Sequence, residues 1–133
     1  MRKLFITPSV LLLFVVCTNC SNDQRALQRL LLQEAAAVNM ATPIMLNHYL
    51  RFDGASVTSD NRFQFHYTVL HTVNPDSLVE STLPEFTQLA RIAYLTSPEM
   101  AVFRDNNVVI DWHFDDESGK TIRTVTINPN DFN

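Results

Sequence analysis

The sequence has few of the residues that support phosphate-binding loops or covalent cross-links. Its 133 residues include only two glycines and two cysteines. Scarce glycine argues against a glycine-rich phosphate-binding loop and for a body with few left-handed turns. Both cysteines, Cys17 and Cys20, lie close to the N-terminus. We therefore expect neither a disulfide nor thiol catalysis in the body of the protein.

Positive charge is also scarce. Beyond the first ten residues Lys120 is the single lysine, and the formal net charge is −4. An acidic chain of this kind is a poor match for nucleic acid or for an anionic membrane surface. We expect no nucleic-acid partner and no cofactor.

The N-terminus is typical of a signal sequence. Arg2 and Lys3 form a positively charged start, and an apolar run follows over residues 10–16. That run is shorter than the about 20 apolar residues that a membrane-spanning helix requires. We expect residues 1–20 to be a signal peptide and residues 21–133 to be a single domain.

The two cysteines follow this apolar run directly, as the lipid-attachment cysteine of a bacterial lipoprotein does. Cys20 is the better candidate because polar residues 21–23 follow it, and Cys17 is the alternative. Asn19 stands where lipoprotein signals prefer a small residue, so ordinary export to the periplasm or medium and an uncleaved leader stay open. A mature chain starting at Cys20 loses Arg2 and Lys3 and carries eight basic and fourteen acidic residues, a net charge of −6.

Alternation of apolar and polar residues predicts two hairpins. The clearest strand covers residues 62–70, and a strand around residues 48–52 precedes it. The second hairpin joins strands at residues 107–115 and 120–128, with Gly119 as the left-handed residue of its turn. In the last strand Ile122 is out of phase with Val125, which predicts a bulge or an edge position.

Three helices are predicted around these hairpins. The first begins with Asp23 as N-cap and ends near Val38. A short turn over residues 77–81, capped by Asp76 or Ser77, then precedes a main helix over residues 83–95. Pro84 sets this division because proline is tolerated in a first turn but not in a helix interior.

A third, short helix begins at Ser97-Pro98-Glu99 and ends near residue 105. The element order α-β-β-α-α-β-β predicts an α+β fold. The expected architecture is a two-layer sandwich, in which helices cover an antiparallel sheet of about four strands.

Short segments from residue 38 onward resemble a widespread group of small bacterial exported or lipoprotein-like domains of unknown function. The segments are Val38-Asn39, Pro43-Ile44-Met45, Leu50-Arg51-Phe52-Asp53, Asn61-Arg62-Phe63 with Tyr67-Thr68-Val69-Leu70, Ser97-Pro98-Glu99-Met100, Asp111 to Asp116 with Ser118-Gly119-Lys120, and Ile127-Asn128-Pro129-Asn130-Asp131. The resemblance implies export and the fold, and it carries no catalytic residues. Many members of the group have one cysteine just before the helix start at Pro98 and another at the C-terminus, whereas this chain has Leu95-Thr96 and Phe132 there.

Polar side chains on the predicted strands supply the candidate site. His66 and His113 fall on the polar faces of their strands, and Asp111 and Asp115 flank His113 on the same face. If those strands are neighbours, imidazoles and carboxylates could form an interaction surface or a zinc-like site. Solvated polar residues are the simpler interpretation, since no dense metal-ligand spacing is present.

Aromatic residues give a second indication. The phase of His48, Tyr49 and Phe52 is not fixed by the pattern. Exposed aromatics there would indicate a protein-binding surface, although ordinary core packing is the simpler interpretation.

These observations favour a non-enzymatic protein of the cell envelope, because the chain has no nucleophile elbow of the Gly-x-Ser-x-Gly type. We expect a lipid-anchored protein-binding or accessory module whose partner is another envelope protein. An inhibitor or immunity-type protein against an exported enzyme is the alternative, and a metal-binding protein or enzyme is a third.

Overall fold

The protein is described by a computed structural model that covers the backbone of residues 9–132 and the side chains of residues 22–132. Arg2 and Lys3 of the predicted signal sequence lie outside the described residues, as do the side chains of Cys17 and Cys20. Along the chain the elements are α1 (Ser9–Asn39), β1 (Ile44–Met45), β2 (Leu50–Val57), β3 (Phe63–Val69), α2 (Pro75–Thr96), a 3₁₀ turn (Pro98–Met100), α3 (Ala101–Asp105), β4 (Ile110–Asp115), β5 (Thr121–Ile127) and a second 3₁₀ turn (Pro129–Phe132).

The strands form one sheet in the order β1-β2-β3-β4-β5. Both predicted hairpins, β2–β3 and β4–β5, are antiparallel, but β3 and β4 pair in parallel, with Phe63 opposite Ile110. The α+β class is therefore confirmed. The expected antiparallel sheet of about four strands is close in strand number, but the sheet has five strands and is mixed, because the two hairpins join in parallel. The parallel pair arises because the segment containing α2 and α3 returns the chain to the end of the sheet where β3 began.

One face of the sheet is apolar and builds the core. Phe63 is fully buried and contacts the rings of Phe65 and Phe103, while Phe65 stacks on Trp112 across the parallel pair. Leu31 and Ala35 of α1 belong to the same buried cluster as these strand residues, and so do three residues of α2: Val79, Ala90 and Tyr94. Both long helices therefore cover this one face, as a two-layer arrangement requires.

The first helix is longer than predicted. It begins at Ser9, so Asp23 lies in its interior and is not its N-cap. The segment before Asp23 contains no proline or glycine between residues 9 and 22 that would interrupt a helix. The predicted end is confirmed, since the helix stops at Asn39 ahead of Pro43.

The second helix is continuous through Pro84, so the predicted division at residue 82 is wrong. Pro84 cannot donate to the carbonyl of Glu80, but both residues are exposed, where water can take the missing partner's place. The cap also differs: Asn74 Oδ1 accepts a hydrogen bond of 3.3 Å from the Ser77 N–H, and Pro75 occupies the first helical position.

Two backbone irregularities set the strand boundaries. The register of β2 against β3 shifts between Phe52 and Gly54, and Gly54 has φ +139°. The shift lets β2 continue to Val57, beyond the predicted end at residue 52. On β5 the register shift against β4 leaves Ile122 as the extra residue, which confirms both the predicted bulge and the edge position.

The C-terminal turn returns to α2. The ring of Phe132 stacks on Tyr94 with centroids 6.1 Å apart, and the Arg91 guanidinium lies 5.1 Å from the Phe132 centroid. Phe132 and the end of α2 lie in the two neighbourhoods where many members of the resembling group have a cysteine. An aromatic and cation–π contact holds the two segments together here.

Within residues 9–132, no helix combines the length and the apolar character that crossing a membrane requires.

Candidate functional site

The polar face of the sheet brings the two predicted histidines together. His66 of β3 and His113 of β4 are opposite each other in the parallel register, and their rings stack with centroids 5.3 Å apart. His66 Nε2 lies 2.7 Å from Ser56 Oγ, and His113 Nδ1 lies 2.9 Å from Thr124 Oγ1. Burial, reinforced by the neighbouring His113, lowers the pKa of His66 below its ordinary value. The pair therefore favours a neutral His66.

Asp111 is not beside the histidine rings but in a separate ion pair. Its carboxylate accepts hydrogen bonds from Arg62 Nε and Nη2 at 3.0 and 2.7 Å, from Thr126 Oγ1 and from Gln64 Nε2. Burial alone would raise the pKa of Asp111, but these hydrogen bonds outweigh burial and leave the pKa below its ordinary value. All acceptor positions face donors of the chain itself, so Asp111 holds strands together.

Asp115 lies at the other end of the polar face. It is opposite Thr68 in the register, and Thr68 Oγ1 donates to Asp53 Oδ2. The Asp115 Oδ1 atom is buried and accepts no hydrogen bond from the described residues. In the described part of the chain, no three His, Cys, Asp or Glu side chains are grouped so that they could hold a metal ion.

A second candidate site lies on the apolar face, at the end of the sheet where β2 begins. It is a pocket of about 200 Å³ between the first half of α2 and the strand ends, and we call it the apolar pocket. Its lining residues are Asn47, Tyr49, Leu50, Val69, Leu78, Val79, Thr82, Leu83, Phe86 and Phe114. A pocket of this size accommodates one or two large apolar side chains.

The apolar pocket exists because the helix layer over the sheet is incomplete. α1 lies over β2 and α2 lies towards β5, and none of the α1 side chains from residue 22 onward lines the pocket. Here the ring of Phe52 contacts the rings of Phe65 and Tyr67, and all three are only partly buried. Neighbouring helices in a packed layer lie about 8–10 Å apart, and the described residues place no further helix over the sheet between α1 and α2.

Exposed apolar side chains border the pocket. Tyr49, which lines the pocket, is 45% exposed, and Leu46, next to the lining residue Asn47, is 53% exposed. Ile44, opposite Phe52 on the same face of the sheet, is also exposed. On α2, Leu89 is exposed and continues the stripe of Leu78 and Thr82 at helical spacing.

The residues 48–52, whose phase the sequence left open, therefore do not all belong to the core. His48 and Tyr49 are exposed, and the His48 ring stacks on His71 at 4.8 Å. Phe52 points to the apolar face and is partly buried. The sequence pointed to Tyr49 through its aromatic ring but gave no sign of the α2 residues, because Leu78 and Leu83 follow an ordinary core pattern.

No protein-family model and no curated protein matches the chain in sequence. Three solved structures are similar in fold. A Pseudomonas aeruginosa protein described as secreted aligns with 80% of this chain and 93% of its own, at 15% identity and a TM-score of 0.67.

Two further structures are pilotins of type II secretion systems. EpsS from Vibrio vulnificus aligns with 83% of this chain and 94% of its own, at 13% identity and a TM-score of 0.62. AspS from Vibrio cholerae aligns with 84% of this chain and 96% of its own, at 11% identity and a TM-score of 0.55. At these identities the similarity establishes a shared fold.

Proposed function

We propose that this chain is a non-enzymatic accessory protein of the bacterial cell envelope. In this proposal it is exported, anchored by a lipid on Cys20, and binds an amphipathic helix of a secretion-apparatus subunit in the apolar pocket. The observation that carries the proposal is the apolar pocket with its exposed apolar border. The fold shared with a protein described as secreted and with two type II secretion pilotins supports the same class of role.

A helix is the occupant that the surroundings of the pocket favour. The layer that covers the sheet is built of helices, and residues 9–132 place none between α1 and α2. A partner helix with apolar residues at spacings of three and four would place them on Phe86, Leu83 and Tyr49. Leu89 and Leu46 would then cover its flanks, which removes exposed apolar surface from water.

The proposed anchor position fits this use of the pocket. Asn61 Nδ2 donates to the carbonyl and side chain of Gln24, so α1 contacts the turn after β2 only four residues beyond Cys20. A lipid on Cys20 would hold that end of the domain at the membrane. The apolar pocket lies at the opposite end of β2, about 23 Å away at 3.3 Å per residue from Val57 to Leu50. It would face away from the bilayer, where a partner can reach it.

Two matched substitutions test the proposal in cells. Leu46→Asp and Leu95→Asp both place a carboxylate at an exposed leucine, 53% and 46% accessible, but only Leu46 is adjacent to a pocket-lining residue, Asn47. Tagged variants at native abundance would be crosslinked, and the co-purifying proteins identified. We expect one stoichiometric envelope partner to be lost with Leu46→Asp and kept with Leu95→Asp, with both variants retaining the thermal transition of the parent.

A partner retained in Leu46→Asp would refute the pocket as its binding site. The second candidate surface is the polar-face group of His66, His113, Asp111 and Asp115, favoured by the stacked rings and the unpaired Asp115 Oδ1. His66→Ala/His113→Ala in the same assay tests it, and loss of the partner there would move the interface to the polar face. Zinc titration that leaves the melting temperature unchanged would eliminate a metal role for this group.

A further inference from the structure

The two edges of the sheet differ in whether their backbone N–H and C=O groups have hydrogen-bond partners. The alternating direction of these groups along each strand shows which of them are left over. The Phe63 N–H donates to the Val109 carbonyl at 3.0 Å, so odd-numbered residues of β4 direct their backbone groups towards β3. Even-numbered residues, from Ile110 to Phe114, therefore direct theirs towards β5. This alternation decides which backbone groups of each edge strand are left for other partners.

On the first side of the sheet, β1 covers only two residues of β2, and the rest of β2 is an edge that the chain itself closes. Asn39 Oδ1 accepts from the Ala55 N–H at 2.7 Å, and Asn39 Nδ2 donates to the Ala55 carbonyl at 2.9 Å. One side chain thus makes both bonds that a neighbouring strand would make. β1 pairs with β2 at Phe52 and Arg51, and the Leu50 carbonyl accepts from the Leu46 N–H.

The β5 edge has no such cover. Val125 is opposite Trp112 and Ile127 is opposite Ile110, so these residues direct their backbone groups inward. Thr124 and Thr126 then direct their N–H and C=O groups outward, and no described hydrogen bond engages those groups. The outward carbonyls at the two ends of this stretch are occupied: that of Ile122 at the bulge accepts from Arg123 Nη1 at 2.8 Å, and that of Asn128 accepts from the Asp131 N–H at 3.0 Å. Residues 123–128 contain no lysine or proline, the residues that commonly protect an exposed edge.

We propose that this edge pairs with the β5 edge of a second copy of the chain, antiparallel about a two-fold axis at Val125. This proposal is independent of the proposed function. The axis places Thr124 opposite Thr126 of the second copy, and each such pair can exchange two backbone hydrogen bonds because both residues point outward. Val125 meets Val125 of the second copy, and both sheets continue into one.

The edge is suited to a copy of itself. The residues on either side of the axis are both threonine, and Thr–Thr cross-strand pairs are favourable. The charges that border the edge have both signs, since Glu80 of α2 pairs with Arg123. The bulge at Ile122 lies opposite Asn128 of the second copy, so the pairing ends at equivalent points on the two sides.

Amide exchange measured by NMR tests the proposal without changing the edge. The full chain with Cys17→Ser and Cys20→Ser would be compared at low and high concentration. We expect the Thr124 and Thr126 amides to exchange quickly at low concentration and at least about tenfold more slowly at high concentration, while the Val125 amide is slow throughout. Exchange at Thr124 and Thr126 that does not depend on concentration would overturn the proposal.

Two variants decide whether β5 is the contact. Thr124→Pro removes one outward N–H, a change that an edge strand tolerates. We expect this variant to fold and to sediment as a monomer at all concentrations. A dimer that persists in this variant would overturn the proposal. If Thr124→Pro fails to fold, Val125→Cys in the same cysteine-free background decides. Cα atoms of a non-hydrogen-bonded antiparallel pair lie about 4.5 Å apart, within disulfide range, so a crosslinked dimer supports the axis and its absence refutes it.

Discussion

The two faces of this sheet are ordered by different interactions. On the apolar face, rings of neighbouring strands stack on each other, as Tyr67 does on Phe114 with centroids 5.3 Å apart. On the polar face the same strands are joined by directional contacts, such as the hydrogen bonds from Arg62 to Asp111. Apolar packing is non-directional and tolerates a gap in the helix layer, whereas a buried carboxylate requires every donor to be present. The candidate binding pocket accordingly lies on the apolar face.

The largest expected effect is on the apolar face. Phe63→Ala removes a fully buried ring that contacts Phe65 and Phe103, and we expect the free energy of unfolding to fall by about 3–5 kcal/mol. Denaturant unfolding measures it. Leu89→Ala, at an exposed position of α2, is the control and should change stability by less than about 0.5 kcal/mol. Equal losses in the two variants would contradict the assigned core.

On the polar face Asp111→Ala should be the most costly substitution. Asp111 is 3% exposed, and its removal leaves Arg62, Gln64 and Thr126 without their acceptor. We expect a loss of about 2–3 kcal/mol, less than for a fully buried pair because Arg62 reaches solvent. Asp105→Ala, at an exposed carboxylate, should be nearly neutral in the same unfolding assay. A loss below about 0.5 kcal/mol for Asp111→Ala would show that the polar face is not held by this ion pair.

A smaller effect is expected where the faces meet at the β2 edge. Asn39→Ala removes both hydrogen bonds to Ala55 and should cost about 1–2 kcal/mol. The substitution also frees the Ala55 backbone groups, so hydrogen exchange at the Ala55 amide should accelerate. Asn106→Ala, whose side chain bonds only one carbonyl within its own helix end, is the matched control. An unchanged Ala55 exchange rate would refute the closure of this edge by Asn39.

The smallest expected effect is a pH dependence from the polar face. The pKa of His66 lies below its ordinary value of 6.5, so the unfolded chain binds the proton more readily than the folded one. Stability should therefore be at its plateau above pH 6.5 and decrease as the pH falls from 6.5 towards 5, despite the opposing carboxylates of Asp53 and Asp115. Melting temperatures measured from pH 8 to 5 should show this decrease in the parent and a flatter profile in His66→Gln. A parent profile as flat as that of the variant would contradict the assigned burial of His66.

Local patterns were sufficient for much of the fold. The alternation of apolar and polar residues in 62–70 and 107–115 matches the two faces of the strands, and its apolar members Phe63, Ile110 and Trp112 are buried. Ile122, out of phase in the sequence, is the bulge residue. The same reasoning failed at Pro84 and at Asp23. A proline on the exposed face of a helix looks like a helix boundary when its solvent exposure is unknown. An aspartate inside a longer helix likewise looks like an N-cap.

The candidate sites were predictable only in part. Placing His66 and His113 on polar strand faces was possible from their phase, but their stacking depends on the parallel pairing of β3 with β4, which the connecting helices decide. Asp111 and Asp115 share a strand face with His113, yet the register directs Asp111 to Arg62 instead. The apolar pocket had no sequence signal beyond Tyr49.

The sequence by itself determined the α+β class, the two hairpins and the polarity of each strand face, because these follow from residue periodicity within single elements. Only the tertiary structure decided the parallel join between the hairpins, the uncovered stretch between α1 and α2, and the closure of one sheet edge but not the other. Those features depend on which segments lie side by side. Contacts between residues far apart in the chain, such as Asn39 with Ala55, leave no periodic trace in the sequence.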